Sequence, residues 1–501
     1  MIIPQKKAFL EITKTGRVPP VFAEVPFTAP HVVYQSILSP DSFLLESIKG
    51  PGKIARYSFV GFDPCLIFNV KDGLIEIESA SGYRVHSGKP LSVLRDITMQ
   101  YEQAPHEYLP PFQGGVAGML SYDFVQYFEK LPVTTIDDLR IPDAHFFLID
   151  RLVAFDHVAK KSWAIVCPGV RSSIAHDASD VSKDWSALYD EAEDTVRQIS
   201  INLTRNVSPA AKRSLISLLP PLQSAGKTEF NHSMTKREYM DMVRRTLEYI
   251  GAGDIFQANL SQRVSAQLME RNPWDLYRIL REVNPSPFSA YVDFGNYQIV
   301  SSSPERLLKV NNGLLETRPI AGTRPRGKNG REDARLREEL LLNEKERAEH
   351  IMLIDLERND LGRVSSYGTV GVDEMMITED YSHVMHIVSN ISGSLAQGKD
   401  CFDALRALFP GGTITGVPKV RCMQIIDELE SLRRGPYTGS LGYIGFSGSL
   451  DFNIIIRTFV IKDGIAYVQA GAGIVADSDP EKEYLETLKK AEALLKTLTM
   501  I

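Results

Sequence analysis

An α+β fold rich in antiparallel sheet is the class this sequence predicts, from three observations. Strand and helix patterns come in separate runs instead of strict β-α-β alternation, which disfavours a doubly wound parallel sheet. From about Phe27 to Ala164, short apolar runs alternate with turn residues, the pattern of strands with few helical patches. Farther on, Asn312-Gly313 divides two apolar runs, a strong local signal for a tight hairpin.

In chain order, the strand-rich first part spans 1–200 and ends in a helical pattern from Ser186 to Ile201. A Ser- and Pro-rich stretch then predicts a linker over 201–228, followed by a second domain over 229–501. There the capping box Thr235-x-x-Glu238 opens a helix whose apolar face carries Tyr239, Met242, Val243, Leu247 and Ile250, and Gly251 stops it. A strand follows in DIFQANLSQRV, then a helix capped by Asn272 and Pro273 and running to about Val283. SAYVDF, YQIVSSS and the hairpin ERLLKVNNGLLETRP read as strands. Two acidic helices are expected at Glu332–Leu342 and from the Asn343-x-x-Glu346 box to Glu357, so Glu346 is also a candidate capping residue. A helix at Cys401–Leu408, a Gly-rich loop and a helix at Pro418–Leu429 come next. Strands over 439–477 then lead to a last helix from Pro480 to about Leu498, capped by Ser478 or Asp479.

The 501 residues exceed the usual size of one core, and a net charge of -7 supplies no basic footprint for nucleic acid. No apolar run reaches the length of a membrane span, and the first residues lack a signal-peptide core, so a cytoplasmic protein is expected. Cys65, Cys167, Cys401 and Cys422 are scattered without metal-ligand spacing or a hydrolase elbow and read as reduced structural thiols.

Two Glu-x-x-Glu pairs, Glu346/Glu349 and Glu483/Glu486, each place two carboxylates on one helical face. They are either solvated surface charges or, if the pairs converge, oxygen ligands for a hard divalent cation, because four carboxylates in one pocket repel one another. The loop FPGGTITGVPKV puts Gly411, Gly412, Thr413, Thr415 and Gly416 before a helix, which suits either an anion site or a plain capping loop; Walker A spacing is absent. GAGIVADS mimics a dinucleotide fingerprint, but Ile474–Ala476 reads as continuing strand, so its glycines suit close approach of backbone to a ligand instead. His383 and His386 lack a third metal ligand nearby, which leaves an acid–base or a structural role. Arg457 ends the aliphatic run NIIIRT and needs an anionic partner, from the protein or a ligand. Lys490 follows Glu486 by one turn, the spacing of an ordinary surface pair.

Together TRPIAGTRPRG, NEKERAEHIMLIDLERNDLGRV, SHVMHIVS, FPGGTITGVPKVR, GAGIVADS and EKEYLETLKKA resemble the chorismate-utilising enzymes, namely the large subunits of anthranilate synthase and aminodeoxychorismate synthase. The likeness spans Tyr239 to Leu495, with a fainter one in FLLESIKGPGKIARYSFVG and FQGGVAGMLSYD. It implies an α+β fold with Mg²⁺ and chorismate in a cleft of the C-terminal domain. By position it makes Glu346, Glu349, Glu483 and Glu486 the Mg²⁺ carboxylates. Ala321, Gly322, Thr413, Tyr437, Arg457, Gly471, Gly473 and Lys490 become substrate-binding residues, Arg457 taking the enolpyruvyl carboxylate. Glu305, His386 and Thr323 become catalytic, Glu305 and His386 acting on the departing 4-hydroxyl and on ring protons.

The resemblance divides over the product. Aminodeoxychorismate synthases commonly read P-I-K-G-T, with a nucleophilic lysine where this chain has Ala321. Alanine cannot attack, so ammonia must add first, as in anthranilate synthase. Yet QANLSQR, PSPFSAY, SPERLL, FPGGTITG and LDFNIIIRT look more like the aminodeoxychorismate type, a subset of which also carries P-I-A-G-T. The first expectation is therefore 4-amino-4-deoxychorismate for p-aminobenzoate and folate synthesis; the alternative is anthranilate and pyruvate for tryptophan synthesis. Isochorismate or salicylate synthesis, with water as nucleophile, is a further class, and a non-catalytic protein on this fold would have no chemical need for these residues. Leu44–Ser47 resembles a tryptophan-binding L-L-E-S, but the opposing P-Y-M is Pro287-Phe288-Ser289 here. The family pairs with a separate glutamine amidotransferase subunit as its ammonia source, and no nucleic-acid or membrane partner is expected.

Overall fold

The computed structural model describes residues 1–175, 183–206, 228–268, 271–380 and 384–500. Two large sheets, entirely antiparallel, carry the fold, in agreement with the α+β expectation. The first has 13 strands; its order includes Val21–Val25, Lys161–Val166, Arg151–Asp156, Tyr57–Gly61, Ser42–Glu46, Phe288–Asp293, Tyr297–Ser303, Thr458–Lys462, Ile465–Ile474 and Gln257–Gln267. The second has 12; it runs from Ile320–Pro325 through Val384–Ser394, Leu314–Arg318, Arg306–Asn311, Leu450–Asn453, Ser440–Gly445, Gly115–Leu120, Ala144–Ile149 and Leu66–Lys71 to Leu74–Ser79 and Gly82–Ser87.

Both sheets take strands from either side of the expected linker. Ser42–Glu46 pairs with Phe288–Asp293, Leu44 opposite Tyr291, and Gly115–Leu120 pairs with Ser440–Gly445, Gly118 opposite Gly442. The inner faces meet in one apolar cluster, with Phe43, Phe59, Ala290 and Ile299 from the first sheet and Ala117, Met119, Phe147 and Leu441 from the second. Helices cover the remaining faces, among them Pro480–Thr499 on Ile465–Ile474 and Glu344–Gly362 on Val384–Ser394. Among the described residues no helix is long and apolar enough to cross a membrane. All four cysteines are buried and free.

Local signals translate directly. Thr235 and Glu238 close both halves of a capping box on Lys236–Gly251, and Asp479 caps Pro480–Thr499. Asn312 and Gly313 take left-handed φ of 49° and 76° at the hairpin turn. The helix at the end of the first part extends to Asn206, and the rest of the expected linker lies almost wholly outside the described residues. The box at Asn343 is half formed: its side chain accepts from the Glu346 amide at 3.0 Å, while the Glu346 carboxylate turns to Arg324.

Candidate active site

The helices Glu344–Gly362 and Pro480–Thr499 set Glu349 and Glu486 close enough for their charges to interact. Burial raises the Glu349 carboxyl, and the charges of Glu346 and Glu486 add to that against Lys490 and Lys345. Burial likewise raises Glu483, with Glu486 opposing its ionisation. Lys345 ties the two segments by pairing with Asp477 at 3.0 Å. Gln257 Nε2 donates to Glu349 at 3.4 Å, while its buried Oε1 has no partner.

These carboxylates are partly engaged by cations: Glu346 with Arg324 at 2.5 Å and Glu486 with Lys490 at 2.7 Å. Among the described residues no three acidic, His or Cys side chains stand in ligand geometry. The donor set nevertheless fits Mg²⁺ chemically, since a hard cation selects carboxylate oxygens and would offset both the burial that raises Glu349 and Glu483 and the repulsion that adds to it.

Gly322 adjoins this cluster. Its φ is +61°, which favours glycine, and a Cβ there would lie 2.1 Å from Glu346 Oε2, so any side chain would displace that carboxylate. The strand Ile320–Pro325 pairs with Val384–Ser394, placing Ala321 opposite Ile387 and Thr323 opposite His386. His386 Nδ1 lies 2.9 Å from Thr323 Oγ1 and 3.3 Å from the Gly322 carbonyl. A carbonyl only accepts, so Nδ1 carries the proton and Nε2 is the basic nitrogen. Burial lowers this imidazole to about 4, so it is neutral at pH 7. His383 lies outside the described residues.

Glu305 is buried just after Tyr297–Ser303 and accepts from Thr413 Oγ1 at 2.9 Å. Burial pushes its carboxyl up to about 8, a hydrogen bond from Thr413 partly offsets this, and Glu357 adds to it. It therefore keeps a proton at pH 7, the requirement for a general acid.

Arg457 departs from the strand before Thr458–Lys462 with φ +52°. A non-glycine residue held there is strained, a condition that concentrates at functional sites. Its guanidinium is close enough to Tyr437 and His386 to act on both electrostatically. Among the described residues no carboxylate pairs with it, which leaves it for an anionic ligand. A Cβ on Gly471 would stand 2.9 Å from Tyr437 Oη, one on Gly473 would stand 2.5 Å from Gln257 Nε2, and Lys490 Nζ donates to the Gly471 carbonyl at 3.1 Å. The strand bearing both glycines thus presents bare backbone beside Lys490 and Tyr437. The loop after Phe409 is anchored at its far end. Gly416–Val417 pairs with Gln257–Ala258, and Lys419 at the following helix start pairs with Asp360.

Residues 42–496 match the family described as chorismate binding enzyme. The chain belongs to this family. It is 44% identical to anthranilate synthase component 1 of Acetivibrio thermocellus, over 91% of this chain and 90% of that one. It is 43% identical to aminodeoxychorismate synthase component 1 of Bacillus subtilis (strain 168), over 91% of each. The crystal structure of anthranilate synthase component I from Streptococcus pneumoniae TIGR4 superposes with a TM-score of 0.74 at 35% identity, covering 88% of this chain and 92% of that one. Most of the similar chains carry the anthranilate synthase name.

One pair of buried carboxylates in this chorismate-binding chain escaped the sequence patterns. Glu357 and Asp360 are buried on the helix face shared with His350, Leu353, Ile354 and Leu361, so a carboxylate at apolar spacing was the available signal. Apart from the glutamate cluster, Glu46–Ser47 and Pro287–Ser289 line a cavity of about 630 Å³. Ser47 Oγ donates to the Pro287 carbonyl at 3.0 Å. Glu46 is structural: burial alone would raise it, but His31, Arg281 and Tyr277 hold it down to about 2.

Proposed function

We propose that this chain aminates chorismate as the large subunit of an anthranilate synthase, releasing anthranilate and pyruvate. Ala321 carries the choice of product. It sits in the strand that places Gly322 against Glu346 and Thr323 against His386, where a lysine nucleophile would be needed for the commoner aminodeoxychorismate route. The names of most similar chains support the same reading. A second reading, 4-amino-4-deoxychorismate as product, is favoured by QANLSQR, PSPFSAY and LDFNIIIRT and by the relative from Bacillus subtilis.

In the proposed reaction Arg457 grips the enolpyruvyl carboxylate, and Lys490 with the bare Gly471–Gly473 backbone borders the ring. Ammonia forms a bond to C2, the two ring double bonds shift, and the 4-hydroxyl leaves as water with the proton held by Glu305. Neutral His386 then accepts the C2 proton as the enolpyruvyl group departs, and protonation of that group gives pyruvate. Mg²⁺ held by Glu346, Glu349, Glu483 and Glu486 would neutralise the ring carboxylate and favour the movement of charge through the ring. Ammonia is expected from a separate glutamine amidotransferase, because this chain carries no elbow motif for glutamine hydrolysis.

The test is purified chain with chorismate, Mg²⁺ and ammonium, the products being identified by fluorescence and mass. Anthranilate with equimolar pyruvate supports the proposal; a 4-amino-4-deoxychorismate product selects the second reading, and no consumption of chorismate sinks both.

A further inference from the structure

The buried acid Glu305 has a second carboxylate behind it, held by the same two pieces of chain. Glu305 receives hydrogen bonds from Thr413 Oγ1 and from the Ile320 amide. Glu357 receives them from Thr317 Oγ1, at 3.1 Å, and from the Gly412 amide. The segments Thr317–Ile320 and Gly412–Thr413 therefore each donate one bond to each carboxylate. Gly412 is pressed onto the helix bearing Glu357, since a Cβ on it would lie 2.1 Å from Leu356 Cδ2. Glu305 and Glu357 are 6% and 3% exposed, so solvent screens little between them.

The charged groups around Glu357 are few. Asp360 lies one turn along the same helix, Lys419 comes from the start of the helix Lys419–Leu429, and Glu305 faces it across the clamp. Lys419 is already engaged with Asp360 and the Leu408 carbonyl. Glu305 meets Glu357 and the more distant Lys490. Two buried carboxylates with one engaged cation cannot both ionise cheaply, so at least one proton stays on the pair near neutral pH.

We infer that Glu357 is a positioning residue for chorismate amination, fixing the Gly412–Thr413 segment against Glu305 and, by its charge, keeping the transferable proton on Glu305. Burial raises Glu357 itself to about 7, with Asp360 adding to that, so its charge develops as the pH passes neutrality. Glu305 is thereby helped to stay protonated over the range in which it would otherwise ionise. This inference rests on Glu305 being the proton donor of the proposed reaction.

The test compares the full chain with Glu357→Gln, Glu357→Asp and Glu305→Gln, measuring kcat and KM for chorismate with ammonium and Mg²⁺ from pH 6 to 10. Free ammonia varies identically for every protein, so differences between them isolate the carboxyls. Glu357→Gln is expected to move the alkaline limb of kcat to lower pH by about one unit, with KM changed less than about twofold. Glu357→Asp should return the limb toward wild type. An unmoved limb, or a loss expressed only in KM, would overturn the role. Should Glu357→Gln fail to fold, the carboxylic-acid C=O infrared band removed by Glu305→Gln is followed against pH in wild type and in the charge-removing Glu357→Asn. An identical midpoint in both proteins overturns the role. Glu305→Gln separates the two claims: full activity there removes the proton-donor reading and this inference with it. A dead Glu305→Gln beside an unaltered Glu357→Gln removes the inference alone.

Discussion

Replacing Glu305 by Gln should make the protein inactive and, in alkali, more stable. Burial holds this carboxyl at about 8 against an ordinary 4.5. The folded chain thus binds the proton more tightly than the unfolded chain. Its contribution to stability is complete below the unfolded value and is lost as pH rises through about 8. The difference corresponds to about 5 kcal/mol at most above pH 8. Glutamine never ionises and can still accept from Thr413, so it avoids that loss. At about 2.1 cal/mol/K per residue, the entropy of unfolding 501 residues is roughly 1 kcal/mol/K, so the variant should gain up to about 5 °C in apparent Tm at pH 9. At pH 5 the gain should be below about 1 °C. Turnover should fall about 10²- to 10⁴-fold at every pH. Thermal unfolding of both proteins at one scan rate, from pH 5 to 9.5, gives the comparison. Parallel curves of Tm against pH would refute a buried, proton-bearing Glu305.

Arg457→Lys should lower kcat/KM by about 10- to 100-fold, because an ammonium cannot grip a carboxylate with two parallel bonds; steady-state kinetics with chorismate decide it. Incubating the chain with chorismate and no ammonia should leave its intact mass unchanged, since Ala321 offers no nucleophile; a covalent adduct would contradict the proposed order of attack. Glu486→Gln should abolish Mg²⁺-dependent turnover with circular dichroism unaltered, and retained activity would remove this residue from the metal set. Glu430→Gln should destabilise the chain by about 3–5 kcal/mol, as it strips the partner from Arg434, only 1% exposed, and chemical denaturation measures the change.

Elements governed by neighbours in sequence were legible: the capping box at Thr235, the Asn312-Gly313 turn and the Asp479 cap act over a few residues. The strand Gly371–Asp380 was not, because GVDEMMITED mixes acidic and apolar residues and its pairing with Val384–Ser394 passes through irregular register. Nor could any local pattern reveal that Leu44 sits beside Tyr291, since strand pairing is decided by distant partners. In the candidate site, spacing singled out the glutamate pairs and Arg457 but not what they face; the resemblance supplied roles for Glu305 and Thr323. Glu357 was passed over because a carboxylate on an apolar stripe reads as a flaw in periodicity, whereas here it is buried with four hydrogen-bonding or charged neighbours.

The sharing of both sheets by the two halves sets a timetable for biosynthesis. Ser42–Glu46 emerges from the ribosome long before Phe288–Asp293, and Gly115–Leu120 waits still longer for Ser440–Gly445. At roughly 5–20 residues per second, these strand edges stay unpaired for some tens of seconds. The nascent first half is thus an aggregation hazard that chaperones must cover, and its separate production should yield insoluble material unless the second half is made alongside it.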